Sequence, residues 1–328
     1  MSRKIEHIRS QRENQGDVFE ANKHTKKFIE KFGYFNINPC LRFDKFIKIK
    51  RERGKTKFDY SDSIKRDRGV HRECFEVPEE IKSRIEANFK YLRNLNSGNS
   101  CLWCVETAWR MVVGLGSPHV HETAMTWHHT WSIPYIPGSA LKGVTRAYFI
   151  EKAWEKFEKE NQGQKWEDTV LCLEAWLMGN NHLDKRVHHK KEECPLWDWA
   201  ERNLQEEREL FKAIFGTQEQ KGSVIFMDAY PLDKYCLKLD VMNVHYPDYY
   251  DGVKDYAADW ESPRPVYFLT VVDTKFQGLI LVNKKFLENS SVKISAEKIL
   301  NSAQSFLKNA LEWHGIGAKT AIGYGILK

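Results

Sequence analysis

Gly315-Ile316-Gly317-Ala318-Lys319-Thr320-Ala321-Ile322-Gly323-Tyr324-Gly325 lies three residues before the last residue of the sequence. Two Gly-apolar-Gly pairs bracket five small or polar residues. Glycine takes positive φ and lets another backbone approach closely. The pattern therefore predicts a loop whose N–H groups face an anion while Ile316 and Tyr324 pin its ends into a core. It is not a nucleotide P-loop, because Gly317 is followed by Ala318 directly before Lys319, where that motif needs a glycine before the lysine. The plain structural alternative is a bulged C-terminal hairpin.

Working outwards, Ser295 to His314 carries Ile299, Ala303, Phe306, Ala310 and Trp313 at helical spacing, which predicts a helix running into the loop. Gly278 to Val282, Val266 to Val272 and Gly222 to Pro231 read as strands, with Tyr235 to Val244 a further apolar stretch. Ser139 to Trp154 is the best-defined helix, with Leu141, Val144 and Tyr148 facing a core and Ser139 placed to cap it. Pro195 to Phe215 reads as one more helix, stopping at Gly216. Thr107 to Leu115 reads as a buried strand. The order is strand, helix, two or more strands, helix, terminal strand, an α+β domain of the RRM or ferredoxin type. We assign it to residues 99–328, with insertions near 155–215 and 245–265. The second insertion, rich in Tyr, Asp and Pro, is expected to project and to reach RNA or a neighbouring chain.

Residues 1–98 form a basic N-terminal extension. They hold 24 Lys/Arg against 15 Asp/Glu, whereas the remainder has 27 against 30, within an overall charge of +6. Residues 1–40 read as an arm. From Leu41 to Arg72 there are 12 basic and five acidic residues with Phe43, Phe46, Phe58 and Tyr60 interleaved, either a solvated insertion or a contact to RNA backbone or a partner. A helix is expected after Pro78, with Ile81, Ile85, Phe89 and Leu92 on one face. No apolar run approaches the ~20 residues of a membrane span, and the start Met-Ser-Arg-Lys-Ile-Glu is too charged for a signal peptide. A cytoplasmic chain is expected. The seven scattered cysteines predict reduced thiols rather than a disulfide framework.

Three stretches together resemble a known family: Ile136-Pro-Gly-Ser-Ala-Leu-Lys-Gly-Val-Thr-Arg146, Phe215-Gly216 followed by Gly222 to Pro231, and the terminal glycine loop. They look like the RAMP proteins of type III CRISPR effector complexes, whose signature is a C-terminal glycine loop of this form on an RRM-like fold. Within that family the pattern is most similar to the single-copy end-cap subunits of the type III-B (Cmr) set, including His245-Tyr-Pro-Asp-Tyr-Tyr250. Ala140 stands where that pattern often has a second serine. The resemblance spans roughly residues 105–328. It implies a non-catalytic, cofactor-free subunit that binds guide RNA and its paired target RNA beside other Cmr subunits in antiviral defence. The target-cutting Asp would be supplied by neighbouring subunits.

Candidate RNA contacts follow. Lys142 and Arg146 sit in the first two turns of the Ser139 helix, where the macrodipole is positive, and an RNA phosphate would relieve that conflict. Free N–H groups from Gly138 to Leu141 would add donors. In the loop, Gly315, Gly317, Lys319, Thr320, Gly323 and Gly325 form the second candidate set. Alternatives are a RAMP-fold endoribonuclease acting through His128 or His129, within the group His119, His121, His128 and His129, and a purely protein-docking adaptor. A zinc site from Cys101, Cys104 and these histidines has poor spacing, and Asp228 reads as a structural hydrogen-bonding residue rather than a Mg²⁺ ligand.

Overall fold

The structure, a computed structural model, describes residues 17–18, 23–52, 55–58, 63–67, 69–96, 98–163, 166–179, 195–288 and 293–328. Half of the expected N-terminal arm, residues 1–16 and 19–22, lies outside them, as does the 180–194 part of the first insertion. In chain order the strands are β1 (Asp17–Val18), β2 (Lys48–Glu52), β3 (Lys55–Phe58), β4 (Arg66–Asp67), β5 (Val70–Glu76), β6 (Ser100–Glu106), β7 (Arg110–Met111), β8 (Val224–Phe226), β9 (Tyr230–Pro231), β10 (Lys234–Val244), β11 (Arg264–Val272) and β12 (Lys275–Val282). The helices are α1 (Lys23–Phe32), α2 (Pro39–Asp44), α3 (Glu79–Leu95), α4 (Gly138–Glu160), α5 (Trp166–Leu177), α6 (Pro195–Asn203), α7 (Gln205–Phe215), α8 (Pro247–Tyr250), α9 (Lys284–Glu288) and α10 (Ala296–Trp313). Among the described residues, no helix is long and apolar enough to cross a membrane.

The chain divides into two units, each drawn from three segments. One takes Met1–Val77, Arg110–Tyr135 and Asp233–Thr274; the other takes Pro78–Trp109, Ile136–Leu232 and Lys275–Lys328. The boundary expected at 98/99 falls inside the second unit, between α3 and β6.

The second unit carries the RRM-like order. Its sheet runs β6-β12-β8, with β9 also paired to β12. Beyond β6, Thr107 bridges Leu327, and Glu106 and Lys328 exchange two backbone hydrogen bonds. The spatial order is therefore terminal strand, first strand, third, second, with α4 and α10 as the two connecting helices. Central β12 is an almost unbroken apolar run, Phe276 to Val282, as a strand buried on both faces requires; Phe276, Leu279, Ile280 and Val282 are fully buried. Ser295 caps α10 by accepting from the Lys298 N–H at 3.3 Å, and Ile299, Ala303 and Ala310 are fully buried. Trp313, expected in that core stripe, is 72% exposed. Helix α3 packs Phe89 against Tyr230, with ring centroids 6.3 Å apart.

The first insertion wraps three helices on α4, and three tryptophan indoles buried there find acceptors. Trp154 donates to Thr169 at 2.7 Å, Trp176 to Glu201 at 2.7 Å and Trp199 to Glu160 at 2.8 Å. The single helix expected over Pro195 to Phe215 is two, broken at Leu204, whose φ of −120° and ψ of 24° are not helical.

The first unit holds a five-stranded antiparallel sheet, β4-β5-β10-β11-β7, and a β1-β2-β3 sheet. Two strands expected in the RRM core, Tyr235 to Val244 and Val266 to Val272, instead pair with each other here as β10 and β11. The strand expected over Thr107 to Leu115 is also split: Arg110 and Met111 pair with Val272 and Val271. Period-two patterning specifies a strand but not its sheet. Arg42 is fully buried, bonded through Nη1 to Glu73 at 3.1 Å and to the Ser63 carbonyl at 3.3 Å. Its guanidinium carbon lies 5.3, 5.6 and 5.4 Å from the ring centroids of Phe35, Phe43 and Phe75. The expectation of reduced thiols is corrected: Cys74 and Cys236 form a disulfide across β5 and β10, and Cys172 is also disulfide-bonded.

Candidate nucleic-acid interface

The glycine loop leaves α10 at His314 and turns back to the terminal strand. Gly315, Gly317, Gly323 and Gly325 take φ of 70°, 93°, 90° and 71°, and Lys319 joins them at 63°. Five left-handed residues in eleven explain the glycine spacing directly. Ile316 and Tyr324 are 2% and 4% exposed, the two anchors expected from the sequence. The Ile316 N–H donates to the Gly325 carbonyl at 2.9 Å, closing the loop. Between the anchors Thr320–Ile322 makes one 3₁₀ turn. Gly317 at the tip is exposed and Lys319 half-buried. Trp109, just before the second unit's chain departs, sets its ring 4.9 Å from Tyr324 in an edge contact and stays half exposed. Sequence reading missed Trp109 as a site residue; it lies two residues after Thr107, which bridges the terminal strand.

The other candidate set is arranged differently from expectation. Helix α4 begins one residue early, with Pro137 as cap and Gly138 already helical, so Ser139 is an exposed first-turn residue rather than the cap. The Gly138 N–H donates to Asp228 Oδ1 at 2.7 Å. The N–H groups of Ala140 and Leu141 bond to the Pro137 carbonyl at 2.9 and 3.1 Å. Of the four donors expected to be free, three are taken, and a carboxylate already answers the helix dipole. Asp228 is the structural hydrogen-bonding residue the sequence indicated, here as a cap supplied from the strand region.

Lys142 and Arg146 both have partners inside the unit. Lys142 donates to the Phe215 carbonyl at 2.9 Å, at the C-terminal end of α7, where the dipole favours a cation. Burial lowers its pKa below the usual lysine range, and the Lys221 and Arg146 charges add to that. Arg146 pairs with Glu174 at 2.6 Å and lies 5.3 Å from the Phe211 ring centroid. Both side chains join α4 to the helices of the insertion.

Of the histidines, His128 stacks on Trp131 at 4.1 Å and its Nδ1 accepts the Trp131 N–H at 3.1 Å. His119 stacks on His121 at 5.3 Å and approaches Asp44 at 3.6 Å. His129 is exposed. Cys101 and Cys104, three apart on β6, point to opposite faces of the sheet, so one ion would not meet both.

With the loop, sheet order and helices in place, comparison with known proteins is decisive. The RAMP superfamily profile matches residues 105–328. The chain is 36% identical over 253 residues to the CRISPR system Cmr subunit Cmr6 of Pyrococcus furiosus, spanning 72% of this chain and 70% of that protein. This chain belongs to the RAMP superfamily, among the Cmr6-type subunits of CRISPR systems. A second Cmr6, from Saccharolobus solfataricus, is 23% identical with 96% of this chain and 91% of that protein aligned. A chain in a cryo-EM structure of the type III-B Cmr-beta complex bound to cognate target RNA is 20% identical, with a TM-score of 0.46, covering 76% of this chain and 64% of that one. The matched residues include the glycine loop, which is built on backbone geometry that residues other than glycine adopt only with strain.

Proposed function

We propose that this chain is a non-catalytic RNA-binding subunit of a type III-B CRISPR ribonucleoprotein. It would hold guide RNA, and the target RNA paired with it, beside the other Cmr subunits in antiviral defence. The observation that carries this reading is the loop from Gly315 to Gly325. Its ends are anchored by Ile316 and Tyr324, its tip at Gly317 is exposed, and Lys319 is held in a left-handed conformation. Trp109 and Trp313, both exposed in this unit, offer faces on which bases stack whatever their sequence. Ser139 on the open first turn of α4 belongs to the same reading. Lys142 and Arg146 enter it as braces of the helix packing rather than as phosphate ligands. His128, held against Trp131 through both its ring face and Nδ1, favours a packing role over acid–base chemistry.

The test is filter retention of a labelled single-stranded RNA across a salt series. Lys319→Ala should weaken retention and reduce the salt slope by about 0.7, the value of one single-strand phosphate contact. Lys142→Ala should leave the slope unchanged. Identical slopes and affinities for wild type and Lys319→Ala would overturn the assignment.

A further inference from the structure

Between β10 and β11 the chain leaves the five-stranded sheet and folds on itself. Lys254 bridges Asp248 at 2.7 Å and Glu261 at 3.3 Å. The Asp248 N–H donates to Glu261 at 3.2 Å, the Tyr246 hydroxyl donates to Asp259 at 2.9 Å, and Arg264 pairs with Asp251 at 3.3 Å. Ala258 is buried, and the Glu261 side chain is 4% exposed. The segment is thus braced by its own contacts.

On that frame Tyr250, Val253, Tyr256 and Trp260 stand 70, 72, 58 and 78% exposed. Large apolar side chains held that far into water on a fixed backbone mark an interaction surface. The charge around them identifies the partner. From Tyr246 to Arg264 there are five carboxylates, Asp248, Asp251, Asp255, Asp259 and Glu261, against two cations, Lys254 and Arg264, so the segment keeps three negative charges in excess after those ion pairs. Nucleic-acid affinity is carried by cations that neutralise phosphates, and aromatic platforms for single strands lie in positive grooves. An acidic rim around aromatic anchors repels RNA and steers a basic protein surface instead.

We infer that residues 246–261 are a docking surface for a lysine- or arginine-bearing face of a neighbouring protein subunit, and that they do not contact RNA. The inference rests on the assembly part of the proposed function and is independent of the glycine loop.

The experiment places the photo-crosslinker p-benzoylphenylalanine at Tyr256. The full chain is then reconstituted with the other purified Cmr subunits and a labelled guide RNA. The expected product is a crosslink to a lysine- or arginine-bearing peptide of another subunit. In parallel, Tyr250→Ser with Trp260→Ser, confirmed folded by circular dichroism, should bind those subunits at least tenfold more weakly while RNA retention by the isolated chain is unchanged. Asp255→Lys should weaken subunit binding more at low salt than at high salt. A crosslink to RNA, a crosslink to a second copy of this chain, or no crosslink in an assembled complex each overturns the inference. So does subunit binding that is unaffected by the paired serine variant. If the wild-type chain does not enter the assembly, the proposed function falls with it. If Lys319→Ala alone leaves RNA retention intact, only the RNA assignment falls.

Discussion

A methyl group at Gly325 tests the folding half of the glycine loop. A Cβ there would lie 1.9 Å from the Ile316 oxygen and 2.8 Å from its carbonyl carbon and nitrogen, backbone atoms that cannot swing aside. Its φ of 71° adds the left-handed penalty of an L-residue, about 1–2 kcal/mol. Relieving the overlap separates the two ends of the loop, at about 1–3 kcal/mol for overpacking. It also breaks the Ile316 to Gly325 hydrogen bond, worth about 0.5–1.5 kcal/mol net. Gly325→Ala should therefore cost roughly 3–6 kcal/mol. Gly323 is the internal control: its φ is 90°, yet nothing lies within 4 Å of a Cβ built on it, so Gly323→Ala should cost only the conformational part, about 1–2 kcal/mol. In units of this size about 1 kcal/mol moves Tm by about 2–4 °C, so thermal unfolding followed by tryptophan fluorescence separates the two variants. Equal losses in Tm would refute the close approach of Gly325 to Ile316 as the reason for the last glycine.

Two further outcomes are expected. Arg42→Met should cost about 3–5 kcal/mol because it takes the buried partner from the Glu73 carboxylate, leaving it the Lys65 N–H at 3.3 Å and the exposed Lys65 ammonium at 3.6 Å, whereas Arg42→Met with Glu73→Leu should recover most of that loss in urea unfolding; a double variant as unstable as the single would refute the pair as its cause. Asp228→Ala should lower stability by about 0.5–2 kcal/mol through loss of the α4 cap, while Asp228→Asn, which keeps an acceptor for the Gly138 N–H, should lose less in the same assay.

Elements decided by their own residues were legible in the sequence. The stripe Ile299, Ala303 and Ala310 placed α10, and Ile85 with Phe89 placed α3, because a helix needs only its own 3.6-residue period to declare itself. The sheet assignments of Tyr235 to Val244 and Val266 to Val272 were not legible. An apolar strand pairs equally well in either sheet, and here the chain enters the first unit just before Tyr235 to Val244 and leaves it just after Val266 to Val272. The Cys74–Cys236 disulfide was hidden for the same reason: its partners are 162 residues apart and meet only once β5 and β10 pair.

The candidate site divides along the same line, and this bears on which half of it to trust for binding. Whether a lysine or arginine reaches a ligand or a neighbouring helix is decided by residues far away in sequence. Lys142 finds a carbonyl 73 residues on, and Arg146 finds Glu174 on a different helix and Met178 just past its end. Spacing within Ser139 to Arg146 carries no trace of those partners, so it pointed to phosphate alone and not to the brace that the fold builds from the same side chains. The terminal loop is different in kind. Its glycines encode φ values, and a φ value belongs to the residue that adopts it. Ile316 and Tyr324 enter the core because the residues beside them turn left-handed, and the same turn leaves Gly317 at the exposed tip. A loop whose shape is local in this way does not depend on the length of the insertions around it. That makes the eleven residues at 315–325, rather than the start of α4, the place where loss of RNA should follow from a single substitution.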